Sequence, residues 1–123
     1  MQNQELQILI DTLEECSDLG PADFDGVARA LGFLLPELST DLQALGHPIG
    51  STDGAVLIVD RAYPDWSIHI RGRANDRDGH WRCTLREGGI RDNDAVLGSG
   101  KSPVLAQAIL AALMRLTANL KRL

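Results

Sequence analysis

Residues 66–86, WSIHIRGRANDRDGHWRCTLR, decide the fold class of this chain. Apolar and polar side chains alternate over 66–71 and again over 81–86, which is the two-residue period of a strand with one buried face. The residues between them, 74–79, are of the kinds that tolerate turn geometry. The stretch therefore predicts a β-hairpin whose two faces differ in polarity.

A loop at 74–79 fixes the pairing of the two strands. On one face the predicted pairs are apolar or small, with Gly72 opposite Trp81, Ile70 opposite Cys83 and Ile68 opposite Leu85. On the other face they are polar: Arg73 with His80, Arg71 with Arg82, His69 with Thr84, and Ser67 with Arg86. The candidate anion- or partner-binding residues are the four arginines and two histidines of that face, Arg71, Arg73, Arg82, Arg86, His69 and His80.

The predicted polar face brings like charges together. Arg71 lies opposite Arg82, and like charges directly opposed on a sheet are destabilising. A negative group is therefore expected nearby. We expect helix acids such as Glu14, Glu15 or Asp18 to supply it from within the molecule, and an external anion or partner is the alternative.

Helices are predicted on both sides of the hairpin, because apolar residues recur there at three- and four-residue spacing. Residues 4–16 form the first helix, with the stripe Leu6, Leu9, Ile10 and Leu13. The second begins at Pro21, buries Phe24, Val27, Ala28 and Leu31, and is weakened at Gly32. The last is capped by Ser102, opens with Pro103, and aligns Leu105, Ile109, Ala112, Leu113, Leu116 and Leu120.

Three shorter segments have weaker or mixed secondary-structure signals. In residues 51–63, STDGAVLIVDRAY, the β-branched run 56–59 is typical of a buried strand, whereas Ser51, Asp53 and Pro64 are helix start and stop signals. These residues favour helix and strand about equally. Ser39 is a candidate cap for a helical turn at 40–45, and residues 95–98 are predicted to add a short third strand.

Longer stretches resemble the phage ABA sandwich domain family. They are LQILIDTLEE (6–15), ADFDGVARAL (22–31), STDGAVLIVDRAYPDW (51–66), WSIHIRGR (66–73), HWRCTLRE (80–87) and SPVLAQAILAALMRL (102–116). The resemblance implies an α+β fold, an α/β/α sandwich of helices layered on a small antiparallel sheet of two or three strands. It favours helix for 52–62, implies a phage or prophage setting, and brings no catalytic residue.

Composition indicates one globular domain over residues 1–123. A hydrophobic content of 44% with 24% charged residues is ordinary for a folded domain and unlike a disordered chain. No apolar run approaches the ~20 residues that cross a bilayer, and the N-terminus lacks a signal pattern, so a cytoplasmic location is expected. Cys16 and Cys83, without CxxC spacing, are expected to be reduced core residues.

Three short motifs suggest chemistry but are incomplete. Residues 98–102, GSGKS, end like a phosphate-binding loop but have Ala95 where that loop needs its first glycine, so we interpret them as a turn and helix cap. DRDG at 76–79 lacks the later glutamate of a calcium loop. His47, His69 and His80 have no evident third zinc ligand. No catalytic residue, cofactor or metal site is predicted.

Charge divides the chain into unlike halves. Residues 1–60 hold eleven acids and one base, a net −10, whereas residues 61–123 hold eleven bases and six acids, a net +5. The leading hypothesis is a non-catalytic module that binds another protein or a second copy of this chain. Nucleic-acid or anion binding on the arginine face is an alternative that the overall charge of −5 disfavours for nucleic acid. An acidic inhibitor or DNA mimic is a further alternative.

Overall fold

Four α-helices and three strands make up the part of the chain that the computed structural model describes, residues 3–38, 48–72, 81–87 and 97–121. In chain order they are α1 (Asn3–Glu15), α2 (Pro21–Leu34), α3 (Thr52–Ala62), β1 (Trp66–Arg71), β2 (Trp81–Glu87), β3 (Leu97–Ser102) and α4 (Leu105–Lys121). A short 3₁₀ turn, Pro36–Leu38, follows α2. Helices layered on a small antiparallel sheet confirm the predicted α+β fold class.

The sheet has the order β1-β2-β3, with both pairs antiparallel. The predicted hairpin register is confirmed from the pair of Ser67 with Arg86 to that of Arg71 with Arg82, including Ile68 with Leu85 and Ile70 with Cys83. The loop at 74–79 and the pair of Arg73 with His80 lie outside the described residues. Alternation of side chains thus predicted both the existence of the hairpin and which residues share a face.

The third strand differs from its prediction. It covers Leu97–Ser102, so the interpretation of residues 98–102 as a turn is wrong. The physical reason is close packing: a Cβ on Gly98 would lie 2.6 Å from the Ala112 carbonyl oxygen, and one on Gly100 would lie 2.4 Å from that of Ala108. These glycines let β3 lie directly against α4 rather than making a turn.

The residues before α4 are those predicted to start it, but its first helical residue comes later in the chain than predicted. Ser102 ends β3, and its hydroxyl accepts a hydrogen bond from the Val104 amide at 3.1 Å. The helix itself begins at Leu105, two residues after Pro103. Ser102 therefore caps the entry to the helix while still belonging to the strand.

α4 is the centre of the molecule. The sheet packs on one side of it, chiefly through β2 and β3, and α1, α2 and α3 pack against it as well. Every residue from Ala106 to Met114 is buried, which explains why this stretch is apolar apart from Gln107. Leu120 was predicted to share its buried face, but it is exposed because it lies in the last turn, near the helix end.

Residues 52–62 form α3, so the ambiguous segment is a helix. The Ser51 hydroxyl accepts a hydrogen bond from the Gly54 amide at 3.0 Å, and Asp53 lies in the first turn. The helix ends where the Tyr63 amide donates to the Val59 carbonyl, one residue before Pro64. Packing of Ile58 and its neighbours on α4 outweighs the β-propensity of the run.

Helices α1 and α2 are confirmed, with differences at the end of α2. At the start of α2, the Asp23 carboxylate accepts a hydrogen bond from the Gly20 amide at 2.9 Å. Gly32 does not end the helix, which continues to Leu34. Phe24 and Ala28, predicted to be buried, are half-buried, while the buried positions of this helix are Val27, Ala30, Leu31 and Leu34. The turn predicted at 40–45 lies outside the described residues.

Of the large apolar residues and the cysteine predicted on the inner side of the hairpin, five of the six pack on the core. The six are Trp66, Ile68, Ile70, Trp81, Cys83 and Leu85. Cys83 and Leu85 are fully buried, and the remaining four are partly covered or exposed. Ile70 lies on the correct face but is 41% exposed, because α4 packs on β2 and β3 and the end of β1 lies beyond it. Among the described helices none is long and apolar enough to cross a membrane.

Candidate anion-binding face of the sheet

The sheet has a second face that points away from α4. Cys83, Leu85, Gly98 and Gly100 face the helix, and their alternating neighbours therefore point to the opposite side. We call the following side chains the outer face: Ser67, His69, Arg71, Arg82, Thr84, Arg86, Ser99 and Lys101. Most of them are exposed, so no described helix covers this surface.

Three cations form a row across the outer face. The register pairs Arg71 with Arg82 and Arg82 with Lys101, one from each strand. Because neighbouring strands lie about 4.8 Å apart, the row spans roughly 10 Å. All three residues are exposed. Sequence reasoning predicted the two arginines but missed Lys101, because β3 was expected to end before it.

The next row of the outer face is polar and contains two hydroxyls. It consists of His69, Thr84 and Ser99, again in register across the three strands. The His69 Nε2 atom lies 2.9 Å from the Ser67 hydroxyl oxygen, a hydrogen bond within the same strand. Two hydroxyls and an imidazole therefore lie beside the cation row and add donors that suit an anion.

The other predicted site residues are placed farther away or not described. Arg86 lies on the outer face but four residues along β2 from Arg82, about 13 Å at the rise of a strand. It is half-buried and belongs to a different row from the three cations. Arg73 and His80 lie outside the described residues. The structure thus brings together Arg71, Arg82 and His69 and adds Lys101.

A bidentate ion pair lies at the β3 edge of the sheet. Arg115 of α4 donates from Nη1 to Glu14 Oε2 at 2.5 Å and from Nη2 to Oε1 at 2.6 Å. The same carboxylate accepts the Lys101 amide at 3.1 Å, and Arg115 also donates to the Ser99 carbonyl oxygen at 3.0 Å. One acid of α1 therefore holds a sheet edge and the central helix together.

These hydrogen bonds shift the acid–base behaviour of the pair. Burial alone raises the pKa of Glu14, but hydrogen bonds from Arg115 and the Lys101 amide, with the nearby positive charges, outweigh it and lower that pKa below its usual value. The hydrogen bond to Glu14 raises the pKa of Arg115. Glu14 is therefore held as a carboxylate that stabilises the edge.

The expectation that helix acids neutralise the arginine pair is wrong. Glu14 binds Arg115 instead, and Glu15 and Asp18 are exposed. Within the described ranges no carboxylate forms an ion pair with Arg71 or Arg82. The reason is geometric, since α1 packs on α4 and contacts the sheet chiefly at β3.

A shallow cavity joins the outer face to this edge. Its volume is about 280 Å³, and its polar lining consists of Glu14, Arg82, Thr84, Ser99, Lys101 and Arg115. Glu14 forms its ion pair with Arg115 and also attracts the nearby Lys101 charge, whereas Arg82 forms no ion pair with a described carboxylate. Two cationic side chains beside two hydroxyls suit a small oxyanion group such as a carboxylate.

Among the described residues, the cysteines and His69 give no second candidate site. Cys83 is buried in the core as predicted, and this burial raises its pKa to about 12. Cys16, which was also predicted to be a core residue, is only half-buried. In the part of the chain that is described, no three His, Cys, Asp or Glu side chains are grouped as a metal site would need. His47 and the candidate calcium loop at 76–79 fall outside it.

Comparison of the chain with protein-family models, curated proteins and solved structures finds no match. The resemblance to the phage ABA sandwich domain family therefore stays a prediction.

Proposed function

We propose that this chain is a non-catalytic binding module that holds an acidic segment of a partner protein on the outer face of its sheet. The observation that carries the proposal is the row of Arg71, Arg82 and Lys101, exposed and without an ion-paired carboxylate among the described residues.

Electrostatics supports an anionic partner. Three like charges held side by side raise the free energy of the folded chain, because directly opposed like charges on a sheet repel. A carboxylate placed between two of them would relieve the repulsion and accept charge-assisted hydrogen bonds. Guanidinium groups are well suited to carboxylates, since their planar fork donates two parallel hydrogen bonds.

An acidic protein segment fits better than nucleic acid. The chain has a net charge of −5 and a pI near 5.0, so a long polyanion would be repelled by the rest of the surface. Single-stranded nucleic acid also needs aromatic platforms for its bases. No aromatic side chain other than the His69 imidazole belongs to the outer face as described, because Trp66 and Trp81 alternate onto the side of α4.

Binding of a labelled glutamate decapeptide tests the proposal. We expect the wild-type chain to bind it at low salt and the Arg82→Ala, Lys101→Ala double variant to bind about tenfold or more weakly, since two charge-assisted contacts are lost. The matched control is Arg29→Ala, which removes an exposed arginine from α2, away from the sheet.

Two results would contradict this function. Equal loss of affinity in Arg29→Ala and in the double variant would indicate a non-specific charge effect. Tighter binding of a thymidine decanucleotide than of the peptide, with a steep dependence on salt, would favour the nucleic-acid alternative.

A further inference from the structure

We propose that the open edge of β1 pairs with the same edge of a second copy of this chain, so that the two sheets join into one. The strand order is β1-β2-β3, so β1 is an edge strand. Such an edge presents unpaired backbone groups to which another strand can bind. The contact shares Arg71 with the cation row, but it does not rest on the function proposed for that row.

The two edges of the sheet differ in how they are protected. At β3, the Lys101 amide donates to the Glu14 carboxylate, and the Ser99 carbonyl oxygen accepts from Arg115. Side chains of α1 and α4 therefore occupy that edge. Among the described elements, only β2 packs extensively on β1, and Ile70 of β1 is 41% exposed. The described part of the chain thus leaves the edge of β1 open.

The hydrogen bond of the Lys101 amide also shows which backbone groups of β1 point to this edge. In an antiparallel pair, residues that exchange backbone hydrogen bonds alternate with residues that do not. Because the Lys101 amide points away from β2, the opposite residue Arg82 directs its backbone groups to β1, where it pairs with Arg71. Ile68 and Ile70 therefore direct theirs to the open edge.

Apolar contact and charge favour one register for the second copy. Antiparallel pairing centred on Ile68 sets this residue opposite its own copy, and sets Ile70 opposite Trp66 of the second copy on the inner side. On the outer side it sets Arg71 opposite Asp65 of the second copy, and both of these residues are exposed. Opposite charges that face each other across two strands stabilise the pair. Two-fold symmetry makes each of these cross-strand contacts occur twice.

The next register that keeps the inner faces on one side fits less well. Centred on His69, it places two imidazoles opposite each other and Arg71 opposite Ser67 of the second copy, so that no carboxylate meets the guanidinium. A shift by one residue would set apolar side chains of one sheet beside polar side chains of the other. Backbone hydrogen bonds supply the affinity in either register, and the pair of Arg71 with Asp65 selects the one centred on Ile68.

A charge swap tests the contact and its register. Arg71→Asp and Asp65→Arg each set like charges opposite each other at two symmetric places, so each should weaken the dimer about tenfold. The double variant restores opposite charges and should dimerise within about twofold of the wild type. Asp25→Arg and Arg29→Asp, at exposed positions of α2, are the matched controls and should leave the dimer unchanged. Sedimentation equilibrium is measured up to about 1 mM chain, because an interface of one strand pair is small and weak.

Ile70→Pro tests the backbone contact. The proline removes an amide that points to the open edge, so the hydrogen bonds between β1 and β2 are kept. We expect this variant to be monomeric, whereas Ile70→Ala keeps the amide and should weaken the dimer less. Urea denaturation at concentrations below the dissociation constant of the dimer checks that both variants fold as monomers. If Ile70→Pro does not fold, the charge swap decides.

Three results would overturn the proposal. They are a wild-type monomer at every concentration, no recovery of the dimer in the double charge swap, and a dimer as strong in a folded Ile70→Pro variant as in the wild type. The last result would assign the dimer to another surface. The Arg82→Ala, Lys101→Ala variant should dimerise like the wild type, so failure at the β1 edge and failure at the outer face are distinguishable.

Discussion

The two faces of the sheet have opposite requirements, although the same strands build both. On the inner side β3 presents Gly98 and Gly100, where a Cβ would collide with the backbone of α4. On the outer side the neighbouring residues are Ser99 and Lys101, which are exposed. The fold therefore dictates every second residue of these strands and leaves the alternate ones available for binding.

The charged groups show the same contrast. At the edge of β3, Arg115 is matched by Glu14 and by a backbone carbonyl, so its charge contributes to packing. In the cation row, Arg71 and Arg82 oppose each other and have no ion-paired carboxylate in the described residues. Substitution can therefore test whether the charges of the cation row, unlike that of Arg115, are dispensable for folding.

The largest effect is expected beneath the inner face. Ile109 is fully buried in α4, and Ile109→Ala should lower the free energy of unfolding by about 2–5 kcal/mol through lost burial and the resulting cavity. Leu120→Ala in the same helix is the control and should cost much less, because Leu120 is exposed. Urea denaturation measures both, and similar losses for the two would contradict the core as described.

Overpacking the inner face should have the next largest effect. In Gly100→Ala the new methyl would lie 2.4 Å from the Ala108 carbonyl oxygen and 2.6 Å from the Ala112 amide nitrogen, so strand and helix must separate. We expect a loss of about 1–3 kcal/mol in the free energy of unfolding. Ser99→Ala, on the outer side of the same strand, is the matched control. A neutral Gly100→Ala would show that β3 and α4 are not in close contact.

The edge ion pair should have a smaller effect that depends on pH. Glu14→Gln weakens the bonds to Arg115, and because the guanidinium is partly exposed we expect a loss of about 1–3 kcal/mol at neutral pH. The pKa of Glu14 is lowered on folding, so its contribution is present above the ordinary carboxyl pKa near 4.5 and disappears as the pH falls through the lower folded value.

Thermal melts from neutral pH down to strongly acidic pH check this sign. The difference in melting temperature between the wild type and Glu14→Gln should shrink as the pH falls. Glu15→Gln, an exposed neighbour, is the control and should show little difference at any pH. A difference that grew towards acidic pH would contradict the lowered pKa.

Local patterns predicted more of the fold than of the site. The alternation at 66–71 and 81–86 was sufficient for the hairpin register, since a slip by one residue would expose its apolar side. GSGKS at 98–102 was misread because glycine serves both turns and close packing, and only the position of α4 decides between them. Because the third strand was expected to end at residue 98, Lys101 was not predicted as a site residue.

Pairing over long distances could not be predicted. Glu14 and Arg115 are 101 positions apart, and their contact depends on how α1 packs against α4. The sequence contains enough acidic residues to neutralise the arginine face, but it does not indicate where α1 places them. The exposure of Ile8 and Phe33 was equally hidden, because helices with apolar residues on several sides do not indicate which side meets the core.

The smallest effect, and the one that most directly separates the two kinds of charge, is expected in the cation row. Removing both arginines with Arg71→Ala, Arg82→Ala removes a repulsion between opposed like charges and breaks no ion pair to a described carboxylate. We expect the free energy of unfolding to stay unchanged or to rise by up to about 1 kcal/mol, the size of a cross-strand pair. Any gain should shrink with added salt, because exposed charges are screened.

Arg115→Ala is the matched comparison for that double variant. Arg115 is partly exposed, but its removal leaves the buried Glu14 carboxylate without its ion-pair partner, so this variant should have a lower free energy of unfolding. Opposite signs for the two substitutions would show that the outer face carries charge that folding does not need. A loss in the Arg71→Ala, Arg82→Ala variant comparable to that in Arg115→Ala would instead place the cation row among the groups that hold the chain together. The outer face would then have no surplus charge with which to attract an acidic partner.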